Sequence, residues 1–212
     1  MKGMIVVSAA AATALTISGL SQAHHSILAY ELEPIWVQGE VISFERSNPH
    51  TITTLEAQRG DGRIQRWRVE GPSISRLDGR PADLYFPQVG DVIRFCALPY
   101  KPIEELQRLW PEADFSSQPS RRIRETDETI TQTVDGHIMV KPDGEKQVWD
   151  SLGVLTECMR SSGDTPQSWL DTINSEWRQA WCRQRERPAH PLDLTLRAYH
   201  DEINALLDNP CE

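Results

Sequence analysis

The chain has 212 residues, 39% of them hydrophobic and 25% charged, with a formal net charge of −9. That is ordinary globular composition, with length enough for a real core in one or two domains. The acidic balance makes nucleic acid a poor partner, because an acidic surface repels a phosphate backbone.

Residues 1–23 carry the pattern of an export signal. Lys2 supplies a minimal positive start, "MIVVSAAAATALTISGL" an apolar stretch, and Ser21 and Ala23 the small residues before a cleavage point. The stretch is short and alanine-rich for a membrane span, and no second long apolar run follows. The expectation is a periplasmic or secreted protein with no stable membrane span after cleavage. Cutting after Ala23 makes His24 the first residue and His25 the second.

Residues 24–100 read as a small β domain. "IWVQGEVISFE" is strand-like, and Gly39 inside it suggests a bulge or sharp bend. "SNPH" is a turn, "TITTLEAQ" a second strand, and "RGDGR" a hairpin turn. "IQRWRVEG" is a third strand with Ile64, Trp67 and Val69 as its apolar members. "PSISRLDG" suits a short helical link, and "VGDVIRFCALPY" a fourth strand.

Residues 101–136 are polar, and 111–136 in particular read as a long loop. Its basic residues Arg121, Arg122 and Arg124 are followed at once by Glu125, Asp127 and Glu128, a self-neutralising pattern. Residues 137–212 read as a hairpin around Pro142, Asp143 and Gly144, then two helices tied by disulfide. Thr165 and Pro166 suit a helix start, and Trp169, Ile173, Trp177 and Trp181 recur on one face. Such an aromatic stripe is first of all packing surface. A second helix follows His190-Pro191 and stops at Asn209-Pro210. The fold class expected is α+β: a small curled antiparallel OB-like β-barrel followed by a helical C-terminal extension.

The four cysteines are Cys96, Cys158, Cys182 and Cys211, with no CxxC pair. In an exported chain an even count reads as two disulfides, and three pairings remain open.

"AHHS", "VQGEVISFERSNPHTITTLEA", "WRVEG" and "VGD" occur in this order between residues 23 and 100. The order resembles a family of small exported bacterial proteins of unknown function, marked by an HHS start and an N-P-H motif. The resemblance implies export and an OB-type barrel, and implies no activity. Residues 101–212 extend beyond the short members of that family.

The histidines carry the chemistry. Imidazole is the commonest nitrogen donor to metals, and nitrogen-rich sites suit copper(II) and zinc. His24, His25 and His50 converge if the N-terminal segment folds back over the first hairpin. Glu70 and Glu45 are acidic neighbours of His50 in this reading. The chain offers no GxSxG, HExxH, P-loop or GxGxxG, so no enzymatic signature is present. The leading expectation is therefore a non-catalytic exported binding protein, holding a divalent metal (copper or zinc) or a small ligand. One alternative is an envelope interaction module whose Trp-rich helices dock a protein partner. Another is a copper-dependent redox enzyme using His24.

Overall fold

The computed structural model describes residues 29–31, 33–77, 85–112, 123–149 and 155–172. Its centre is a closed barrel of five strands: β1 (Ile35–Glu45), β2 (Ile52–Gln58), β3 (Ile64–Glu70), β4 (Val92–Pro99) and β6 (Thr129–Val140). β1 pairs antiparallel with β2 and with β4, and β2 with β3. β6 closes the ring, antiparallel to β4 and parallel to β3. β5 (Arg124–Glu125) and β7 (Lys146–Val148) are short additions along β6. The helices are α1 (Ile74–Leu77), α2 (Ile103–Leu109), α3 (Leu155–Ser162) and α4 (Pro166–Thr172). None of the described helices is long and apolar enough to cross a membrane.

Alternation explains the interior. In β1, Val37 and Val41 point inward while Gln38 and Glu40 are exposed. With Leu55, Val69, Phe95, Val134 and Met139 they form the barrel core. Burying each such side chain stabilises by about 1.5–3 kcal/mol. β4 and β6 are instead buried on both faces. Cys96, Leu98 and Ile138 point out of the barrel into a second core with Tyr30, Leu106, Cys158 and Trp169. A strand covered on both sides reads as a continuous apolar run, which is what "FCAL" is.

Gly39 does not sit at a bulge. It pairs with Ile93, and the register slips between Val41 and Ser43 instead. A Cβ at Gly39 would lie 2.5 Å from the Glu56 carbonyl oxygen, so the residue permits close approach of β2.

At one end of the barrel, the buried Trp149 indole packs against Phe44, Phe86 and Phe95, at 6.1–6.4 Å between ring centroids. A Cβ at Gly71 would lie 2.0 Å from Trp149 Nε1 and 2.7 Å from Thr51 Oγ1. Glycine is therefore what lets the chain pass the indole.

Two expectations are corrected. The barrel is mixed, not antiparallel: α1, β4, α2 and β5 intervene between β3 and β6, and a crossover of that length brings β6 back parallel to β3. Residues 101–136 are not a linker. They hold α2, β5 and the first two thirds of β6, and residues 137–140 complete that barrel strand. "TITQTV" looks polar on hydropathy, but threonine is β-branched and a good strand former.

The expected hairpin at Pro142–Gly144 is present between β6 and β7, with Gly144 at φ 87°. The helix start at Thr165 is also present, since the Ser168 amide donates to Thr165 Oγ1 at 3.2 Å. α3 and α4 are tied to the barrel by three devices. The first is the Cys96–Cys158 disulfide, with Cα atoms 5.9 Å apart. The second is buried Lys146, whose ammonium lies 2.7 Å from Thr172 Oγ1 and 5.0 Å from the Trp169 ring centroid. The third is Trp169 itself, 1% exposed and edge-on to Trp36. Ile173, Trp177, Trp181, Cys182, the expected second helix and Cys211 lie outside the described residues.

Candidate functional site

The N-P-H turn is built before it is used. The Ile74 amide donates to Ser47 O, while Asn48 Oδ1 accepts from the Ser75 hydroxyl at 3.2 Å. Ser47 Oγ donates to the carbonyl of His50. The turn is thereby fastened to α1, and the Asn48-Pro49 bond is cis. His50 follows, half-buried, with Nδ1 3.2 Å from the Gly71 carbonyl oxygen. A carbonyl only accepts, so Nδ1 carries the proton. In the neutral ring, Nε2 then carries the lone pair that binds metals or protons. A backbone carbonyl on the far nitrogen is the usual way a ligating imidazole is oriented.

Next to Gly71 is Glu70. Tyr100 donates its hydroxyl proton to the Glu70 carboxylate, and the Tyr30 hydroxyl lies 3.3 Å from that of Tyr100. Burial first, and the Glu70 charge second, push the Tyr100 phenol far above its ordinary value, so it remains a neutral donor. Across the sheet, Glu70 pairs with Asp135. His137 Nε2 lies 3.2 Å from Asp135 Oδ2, and both side chains are buried. The β4–β6 register skips His137 between Gly136 and Ile138, so a bulge puts it on the same outer side as Asp135. The barrel register thus gathers His50, Glu70, Tyr100, Tyr30, Asp135 and His137 along one outer strip.

The chain enters the described structure on this strip. Tyr30 bridges Tyr100, the Glu31 amide donates to Pro99 O at 2.9 Å, and the Lys101 amide to Ala29 O at 3.0 Å.

Of the expected metal ligands, His50 lies on the strip, and His24 and His25 lie outside the described residues. Among the described residues, no group of three or more His, Cys, Asp or Glu side chains is arranged to hold a metal ion. Glu45 and Glu70 flank Ile52, two residues after His50, on the neighbouring strands β1 and β3. Of the four cysteines, Cys96 is bonded to Cys158. The sequence reading missed Tyr30, Tyr100 and the Asp135–His137 pair. Their partners come from strands and segments far apart in the chain, and no local spacing announces them.

Beside Tyr100 a cleft opens between α2 and β6, with a volume of about 470 Å³. Tyr100, Pro102, Ile103, Glu104, Ile123, Gln132 and Thr133 line it.

A family of unknown function, DUF6152, matches residues 12–95, less than half of the chain. The match stops at Phe95 inside β4, so the barrel-closing strand β6 falls outside it. No curated protein and no solved structure matches the chain.

Proposed function

We propose that the protein is an exported, non-catalytic metal-binding protein of the OB type, whose site is centred on His50. The oriented imidazole carries this reading: the Gly71 carbonyl accepts from Nδ1, which is how a ring that ligates through Nε2 is commonly held. His25 precedes Tyr30 by five residues, and Tyr30 is fixed on the same strip. Five residues reach at most about 17 Å, which sets how far His25 can lie from Tyr30. Copper(II) or zinc is the ion such a nitrogen set favours. A ring order of β1-β2-β3-β6-β4, with a helix between β3 and β4, supports the OB assignment. The signal-like residues 1–23 support export. The interaction-module alternative loses part of its motive, since Trp169 is spent on internal packing.

Equilibrium dialysis of the full exported chain against copper(II) and against zinc, with metal quantified per chain, tests the proposal. One ion should be retained per chain by the wild type. His50→Asn should lose it, because asparagine can still donate to Gly71 but offers no imidazole nitrogen. Retention unchanged in His50→Asn, or no retention by the wild type, would sink the reading. Near-ultraviolet circular dichroism should be the same for both chains, since the turn keeps its other bonds.

A further inference from the structure

Cross-strand register gathers cations and threonines on the outer face of the barrel. Leu55, Val69 and Val134 belong to the interior, so their chain neighbours Thr54, Arg68 and Thr133 project outward. Arg68 of β3 lies between Thr54 of β2 and Thr133 of β6. One pair along, Thr131 of β6 lies between Arg66 of β3 and Arg124 of β5. Arg68 and Arg124 therefore flank the β6 threonines from opposite sides, with neighbouring strands about 4.8 Å apart.

The other cations on the described strands have partners. Arg66 donates to Glu56 at 2.8 Å, Arg94 lies over the Trp36 ring, and Lys146 pairs with Asp164. Arg68 is half-buried and Arg124 exposed, and neither makes a hydrogen bond or ion pair among the described residues. The sequence offers Glu125 to neutralise Arg124, but the Glu125 carboxylate is taken by Arg63. A guanidinium presents its donors in a planar fork that matches the oxygens of an oxyanion. A half-buried stem is already partly ordered, so closing that fork on an anion costs less side-chain entropy.

Some carboxylates oppose an anion here. Glu104 lines the cleft that Thr133 also lines, and Asp127 and Glu128 close the β5–β6 turn. Glu70, two residues along β3 from Arg68, is occupied by the Tyr100 hydroxyl. Two cations beside a row of hydroxyls suit a doubly charged, tetrahedral anion better than a planar carboxylate of single charge. The net charge of −9 repels polyanions and anionic membranes, which favours a small molecule.

We infer that this face binds the phosphate group of a small molecule, with Arg68 giving it a forked hydrogen bond and Arg124 a second positive charge. The site shares no residue with the His50 reading and does not depend on it.

Inorganic phosphate, acetate and chloride are titrated at matched ionic strength into the full ¹⁵N-labelled chain. The Arg68 side-chain Nε–H and the Thr133 amide are followed by NMR. Phosphate should shift both and saturate, with acetate and chloride much weaker. Arg68→Gln should weaken phosphate about tenfold, the size of a hydrogen bond to a charged group. Arg124→Gln should weaken it about twofold to fivefold, and Glu104→Gln should strengthen it by a similar factor, as exposed charges do. Arg68→Lys keeps the charge and a long stem but loses the fork, so it too should bind phosphate more weakly, while unfolding at the wild-type temperature. An Arg68 resonance unmoved by phosphate, or moved equally by chloride, would overturn the site. Acetate binding as tightly as phosphate would overturn the phosphate assignment. Sedimentation with phosphatidylglycerol vesicles, without a response to inorganic phosphate, would overturn the small-molecule assignment in favour of a membrane.

Discussion

Gly71→Ala is expected to destabilise the barrel by about 2–3 kcal/mol, the range for forcing a methyl into a filled core. The added carbon would stand 2.0 Å from Trp149 Nε1 and 2.7 Å from Thr51 Oγ1. Neither neighbour can retreat cheaply. The indole is fully buried among Phe44, Phe86 and Phe95, and the Thr51 hydroxyl donates to Pro72 O at 3.0 Å. Gly60→Ala is the control, because nothing lies within 4 Å of its Cβ position. It should stay within about 0.5 kcal/mol of wild type. Urea unfolding monitored by tryptophan fluorescence separates the two. Equal midpoints for both variants would mean that Trp149 does not seal the barrel at Gly71.

Replacing both Cys96 and Cys158 by alanine should cost about 2–4 kcal/mol. The bond joins residues 62 apart in sequence, so it removes considerable freedom from the unfolded chain. It also ties α3 to the outer face of β4, in the second core. Both sulfurs sit in fully buried residues, so reductant should act only on unfolded protein. The check is the urea midpoint of the double variant against wild type, with non-reducing peptide mapping of the Cys96–Cys158 link. An unchanged midpoint would show that the second core holds α3 by packing alone.

Strands β1 to β4 were legible because their alternation, turns and β-branched residues all agree. The β6–β7 hairpin was legible from Pro142, Asp143 and Gly144 in the same way. The first half of β6 was not, since Thr129, Thr131 and Thr133 look like loop residues unless threonine's stiffness is weighed above its polarity. α2 had a readable signal that went unused: Pro102 before it, Glu104 and Glu105 in its first turn, Arg108 in its last. The parallel closure was beyond local reading, because nothing near Ile64 shows that Thr129 will lie beside it.

Of the site, His50 was legible from its turn. Its orientation was not, because Gly71 reaches it through strand register rather than spacing. Tyr100 ends an apolar strand and reads as core until Glu70, thirty residues away, accepts its hydrogen bond. Cysteine arithmetic left three pairings open, and the geometry of β4 against α3 selects Cys96–Cys158.

The position of β6 in the ring also governs how the molecule comes into being. β3 ends at Glu70, and the strand that must lie beside it is complete only at Val140. At about 5–20 residues per second of synthesis, β3 waits several seconds for its partner. During that interval β1 to β4 can form no more than an open four-strand ribbon, with β3 and β4 as bare edges. Such edges invite pairing with other chains, and closure over so long a loop is slow. The hazardous period in this protein's life is therefore the time between making its fourth strand and its sixth.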